Sequence, residues 1–141
     1  MNLHSSGIRI SVMYSFIEKR KEIVSTYNQA FEQLDWIQTP SETNENYTSF
    51  HLYVVQIDFS VIKKTRAEAM NQLKMDGIGS QVHYIPVYFQ PYYRQLGYKE
   101  QICPNSETFY KETLSIPIYP DMSIEDIDYV IETVLEVFSY F

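Results

Sequence analysis

The sequence predicts an α+β domain, a small antiparallel or mixed sheet covered by helices on one face. Three observations predict it. Residues 51–59, HLYVVQIDF, are rich in β-branched and aromatic side chains and apolar on both alternating faces, as expected of a strand covered on both sides and central in its sheet. Residues 123–138 carry apolar side chains at helical spacing, as expected of a helix lying across a sheet. The remaining helical and extended stretches interleave at short intervals, with no internal repeat and no low-complexity run.

Taken in order, residues 1–14 contain Gly7 and mixed polar groups without clear periodicity and are expected to be irregular. From about Ser15 to Leu34, the positions Phe16, Ile17, Ile23, Val24, Tyr27, Phe31 and Leu34 recur at helical spacing and predict an amphipathic helix. Residues 39–49 hold Pro40 and many small polar groups, the composition of a surface loop. After the strand at His51–Phe59, Thr65 and Glu68 have the spacing of a capping box, in which each side chain satisfies a backbone N–H of the other residue. A second helix therefore starts near Arg66, buries Ala69, Met70 and Leu73, and stops at Asp76-Gly77, where glycine takes the left-handed conformation of a helix end.

Gln81 to Ile85 reads as a second strand, kept short by Pro86, which has no N–H to give a ladder. Pro91 is placed to open a short helical turn running to Leu96. A third helix is expected around Asn105 to Thr113 with Phe109 and Tyr110, then a strand-like run from Leu114 to Ile118 broken by Pro117 and Pro120. In the last helix Ser123 is the N-cap, and Glu125, Asp126 and Asp128 set negative charge at the positive end of the dipole. Its apolar stripe is Ile124, Ile127, Val130, Ile131, Val134, Leu135 and Phe138.

Composition bounds the function. A length of 141 residues is one domain, and an aromatic content of 16% gives it enough bulk for a real core. The net charge of −7 argues against a nucleic-acid surface, which needs clustered Lys and Arg. The one basic run, Lys19-Arg20-Lys21, is flanked by Glu18 and Glu22 and reads as a solvated helix face. No apolar run approaches the ~20 residues of a membrane helix and no leader pattern opens the chain, so a cytoplasmic protein is expected. A single cysteine, Cys103, makes no internal disulfide, and no His or acid stands beside it to activate a nucleophile. His4, His51 and His83 lack any metal-ligand spacing, so no metal site is expected, and none of the strong short catalytic motifs is present.

One segment is over-specified for packing alone. GIGSQVHYIPVYFQPYYRQLGY, residues 77–98, sets Gln81, an imidazole at His83 and a run of phenols against prolines that stiffen the backbone. Such a surface suits a sugar or nucleotide, held by stacking and hydrogen bonds. From composition alone, the better account is that these aromatics fill the space under a sheet edge.

The same segment resembles the signature of the DegT/DnrJ/EryC1/StrS family of aminotransferases. Three other stretches match in the same order: FIEKRKEIVSTYNQAF at 16–31, FHLYVVQIDF at 50–59, and SETFYKETLSIPIYPDMSIEDIDYVIETV at 106–134. The resemblance spans roughly residues 15–138 and implies the C-terminal small domain of a fold-type I enzyme, residues 15–141 here, behind an irregular 1–14 segment. Family members attach an amino group to a keto sugar carried on a nucleotide, using pyridoxal phosphate. Their large N-terminal domain carries the lysine that holds the cofactor, and the small domain closes one side of the active site. In the branch that serves pseudaminic-acid synthesis, the stretch resembling Gln81, Val82, His83 and Tyr84 touches the substrate, so the resemblance implies that role for these four residues.

Two departures qualify the resemblance. GIRISVMY, residues 7–14, does not continue the family pattern, and Tyr88 stands where many members have a second histidine. No large domain precedes Met1, so the resemblance implies a fragment without catalytic or cofactor-binding residues of its own. Lys63, Lys64, Lys74, Lys99 and Lys111 all fall on stretches that read as surface. The expectation is an inactive chain with a surviving nucleotide-sugar face. Its expected partners are a separate large domain or further copies of itself, since losing a large domain exposes apolar area.

Overall fold

The computed structural model describes residues 4–43 and 45–139, with side chains from Val12 onward. In chain order the described elements are α1 (His4–Phe31), β1 (Ile37–Gln38), β2 (Tyr53–Ile57), α2 (Arg66–Met75), a 3-10 turn (Val87–Phe89), α3 (Pro91–Gln95), α4 (Pro104–Glu112), β3 (Thr113–Ile116) and α5 (Ile124–Phe138). The sheet is three-stranded and wholly antiparallel, with β2 in the centre between β1 and β3. The α+β fold expected from the sequence is the fold observed.

Register explains why one sheet face is dry. Tyr53 stands opposite Ile116, Val55 opposite Leu114 and Ile57 opposite Ile37, so these six side chains share one face, and all are buried. Onto it pack Ile23, Val24, Tyr27 and Phe31 of α1, Ala69 and Leu73 of α2, and Val130, Val134, Val137 and Phe138 of α5, in one continuous core. Tyr27 meets Tyr53 edge to face with ring centroids 5.0 Å apart, and each phenol finds an acceptor: Tyr27 the Pro117 carbonyl at 3.0 Å, Tyr53 the Asn28 side-chain oxygen at 2.7 Å. The opposite face carries Val54, Gln56, Thr113 and Ser115, again as register partners. It is polar, and Val54 and Gln56 are only half-buried there.

The local stop and start signals hold. Thr65 with Glu68 and Ser123 with Asp126 each form a full capping box. After α2, Gly77 at φ +77° sends its N–H to Lys74 O at 3.2 Å and Ile78 sends its N–H to Leu73 O at 2.8 Å, a Schellman closure that also buries Ile78. α5 has most of its stripe inside the core, but Ile124 at its first turn is exposed.

Three expectations are corrected. Residues 1–3 of the expected irregular segment lie outside the described residues, and residues 4–14 are not irregular, because α1 already begins at His4. Gly7 is its one weak helix former and no proline interrupts it; one such residue costs only about 1 kcal/mol once a long helix exists to extend. Gln81–Ile85 is not a strand: Gln81 and Ser115 exchange backbone bonds at 3.2 and 2.8 Å and pairing ends there. The next bonding pair on one side would need an N–H from Pro117, and on the other the Thr113 carbonyl already receives Arg66 at 3.4 Å. The Lys19-Arg20-Lys21 run is not simply solvated either. Lys19 meets Asp121 at 3.1 Å, while Arg20 holds the Ser49 carbonyl at 2.7 Å and Lys21 pairs with Glu42 at 3.2 Å while lying over the Tyr47 ring, so Arg20 and Lys21 fasten Glu42, Tyr47 and Ser49 to α1.

Candidate functional site

Where β3 ends, the polar side of the sheet runs into a cleft of about 270 Å3 lined by His51, Leu52, Gly79, Ser80, Gln81, His83 and residues 115–118. Three pieces of chain meet there for local reasons. The Schellman turn at Gly77 swings the chain back along β3, the single bridge to Ser115 fixes Gln81, and His51 stands just ahead of β2. Ser115 is buried on the polar sheet face, with its Oγ 3.1 Å from His83 Nδ1 and 3.3 Å from the Gln81 carbonyl. That hydroxyl fixes the imidazole plane and leaves Nε2 without a partner among the described residues.

Of the four residues singled out in the sequence, Gln81 and His83 line this cleft and Val82 and Tyr84 do not. Tyr84 is 76% exposed, and its ring stands edge-on to that of His83 with centroids 4.7 Å apart. The arrangement offers a ligand hydrogen bonds inside the cleft and a phenol face at its rim.

Beyond Tyr84 the chain makes an aromatic excursion over residues 86–103. It is held by Glu107, a carboxylate only 6% exposed, which accepts the Tyr88 hydroxyl at 3.0 Å and the Gln101 N–H at 2.7 Å. Burial, and then the bond to Glu107, push the Tyr88 phenol up to about 12. Tyr88 is thus engaged within the fold and does not line the cleft. Sequence reading missed Glu107, Ser115 and His51. A carboxylate in a first helical turn reads as a dipole partner, a serine in a strand as a solvent-facing residue, and a histidine before a strand as a boundary.

Pyridoxal phosphate needs a lysine beside a phosphate-holding pocket. The His51–His83 cleft has no lysine in its lining. Lys19 and Lys64 line other clefts, but each shares its cleft with carboxylates, Glu22 and Asp121 for Lys19, Asp76 and Glu136 for Lys64. Such walls repel a phosphate. Lys64, expected at the surface, is half-buried and spends its amine on the Val137 carbonyl near the end of α5. None of these three clefts therefore sets a lysine in a lining free of carboxylates. No helix among the described residues is long and apolar enough to cross a membrane.

Comparison with known proteins shows the family of this fold. The spore coat polysaccharide biosynthesis protein SpsC of Bacillus subtilis is 43% identical over 85% of this chain and 31% of its own length. The UDP-4-amino-4,6-dideoxy-N-acetyl-beta-L-altrosamine transaminase of Campylobacter jejuni is 34% identical over 86% of this chain and 32% of its own length. Among solved structures, a sugar aminotransferase of Streptococcus pneumoniae in its PLP form superposes with a TM-score of 0.80 at 27% identity, over 92% of this chain and 33% of that one. The chain thus spans about a third of the length of the relatives it matches. The family profile matches residues 8–135, so it takes in most of the 7–14 stretch that departs from the pattern by eye. On this profile and these relatives together, the chain belongs to the DegT/DnrJ/EryC1/StrS aminotransferase family.

Proposed function

We propose that this chain forms the nucleotide-sugar side of a sugar aminotransferase and leaves the cofactor lysine to another part of the fold. The observation that carries this reading is the division of labour among its clefts: Gln81, His83 and Ser115 meet in a lysine-free cleft with the Tyr84 phenol at its rim, while the lysines that line clefts sit among carboxylates. In this reading Gln81, Val82, His83 and Tyr84 contact a sugar nucleotide in surface-polysaccharide or nonulosonate synthesis in the cytoplasm. The names of the relatives support the substrate class.

The lysine-bearing part belongs either to a longer form of the same polypeptide or to a separate chain, and the 141 residues alone do not transaminate. A place for it is supported by exposed apolar side chains on α1, Val12, Met13 and Tyr14, and on the excursion, Val87, Tyr92 and Leu96. The same exposure favours a second reading, self-association of this chain, which light scattering at rising concentration separates from the first.

The test of the site is calorimetric titration with UDP-4-amino-4,6-dideoxy-N-acetyl-beta-L-altrosamine. His83→Ala and Tyr84→Ala are each expected to abolish binding with an unchanged unfolding transition. Unchanged affinity in both would reject the site.

A further inference from the structure

The Ser115 hydroxyl sits between two groups of different character. Its Oγ lies 3.3 Å from the Gln81 carbonyl, which can only accept a hydrogen bond. It lies 3.1 Å from His83 Nδ1, which accepts or donates according to where the imidazole carries its proton. Ser115 is 6% exposed, so these two neighbours, and not bulk water, settle the hydroxyl.

Two arrangements of the neutral ring compete. In the first, the hydroxyl donates to the Gln81 carbonyl and accepts from Nδ1–H, so both contacts are hydrogen bonds. In the second, the hydroxyl donates to a bare Nδ1, and the two oxygens 3.3 Å apart face each other with no proton between them. The Gln81 carbonyl takes the Ser115 N–H at 2.8 Å and keeps a second lone pair for the hydroxyl. The first arrangement therefore makes one more bond at a buried site, where an unmade bond is costly. Among the described residues, none of those lining the cleft is a lysine, an arginine or a carboxylate that would override this choice.

We propose that Ser115 is a positioning residue that holds neutral His83 as the Nδ1–H tautomer, so that Nε2 meets a ligand in the cleft as a hydrogen-bond acceptor. The group it takes is a donor, a hydroxyl or an amine, and an ionised oxyanion, which brings only acceptors, is disfavoured there. Any proton that His83 takes up enters at Nε2, because Nδ1 already carries one. The inference goes beyond the nucleotide-sugar reading and does not depend on it, since it concerns the ring before any ligand arrives.

The experiment is long-range proton–nitrogen NMR of the ligand-free chain with nitrogen-labelled histidine, at about pH 9, where an ordinary imidazole is neutral. A protonated ring nitrogen and a bare one differ widely in nitrogen shift, so each tautomer is read directly, and His83→Gln and His51→Gln assign the signals. His83 is expected with Nδ1 protonated, favoured roughly fivefold or more. His51 is exposed and makes no side-chain hydrogen bond among the described residues, so it is the internal reference and should show the Nε2–H form that a solvated histidine prefers. Ser115→Ala should bring His83 to the ratio of His51, and Ser115→Thr, which keeps a hydroxyl, should hold the Nδ1–H form. The wild-type spectrum decides even where a variant fails to fold. His83 found mainly as Nε2–H, or unchanged in folded Ser115→Ala, would overturn the inference. Inorganic sulfate should leave Nε2 bare, and a saturable switch of His83 to Nε2–H on adding it would overturn the donor preference. A bare Nε2 in a chain that does not bind UDP-4-amino-4,6-dideoxy-N-acetyl-beta-L-altrosamine would keep this inference and sink the proposed function.

Discussion

The Tyr88 hydroxyl donates to the buried Glu107 carboxylate at 3.0 Å, and the oxygen it uses also accepts the Gln101 N–H at 2.7 Å. Two points of the 86–103 excursion, 13 residues apart in sequence (101 − 88), are thereby fastened to the first turn of α4, the helix that leads directly into β3. Glu107→Ala orphans both donors and should cost roughly 1–3 kcal/mol in denaturant unfolding. Glu107→Gln keeps an acceptor oxygen and should cost less. Amide hydrogen exchange should rise across residues 88–103 in the alanine variant and little elsewhere.

Tyr27 and Tyr53 form the hydrogen-bonded heart of the core, and burial pushes both phenols above the usual tyrosine range. With folded values raised above an unfolded value of about 10, the neutral phenols contribute stability that is complete below that pH and lost as pH climbs beyond it. Thermal midpoints should therefore fall above about pH 10, and less steeply in Tyr27→Phe. At neutral pH Tyr27→Phe leaves the Pro117 carbonyl without this donor and should cost about 1–2 kcal/mol.

The capping boxes make the opposite prediction at acid pH. Backbone and side-chain bonds from Thr65 hold Glu68 below the usual carboxylate range, and bonds from Ser123 do the same for Asp126. With folded values depressed, the stability they give is present above about pH 4 and is lost as pH falls further. Ser123→Ala and Thr65→Ala should each cost about 1 kcal/mol at neutral pH, and each should flatten the acid limb of the stability profile.

Lys19→Ala is the control. Its pair with Asp121 joins side chains that are 50% and 80% exposed, so stability should change by less than about 0.5 kcal/mol, whatever the salt.

How much of this was legible follows from the range of each signal. The caps at Thr65 and Ser123, the Gly77 stop and the α5 stripe are read within a few residues, and each stands in the structure. The strand expected at Gln81–Ile85 depended on a partner over 30 residues away, and pairing with it stops at the one bridge from Gln81 to Ser115. β1, two residues long at Ile37–Gln38, is too short to show a period. Within the site, Gln81 and His83 stood out through their company of phenols and prolines. His51 and Ser115 belong to it only through tertiary contact, which no local pattern announces.

The central claim is that this chain faces the sugar nucleotide and does not hold the cofactor. The most direct test is incubation of the purified chain with pyridoxal phosphate, borohydride reduction, and mass spectrometry of its peptides. The account predicts scattered, substoichiometric labelling of surface lysines. A stoichiometric adduct on one lysine would contradict it, because the chain would then hold a cofactor site of its own.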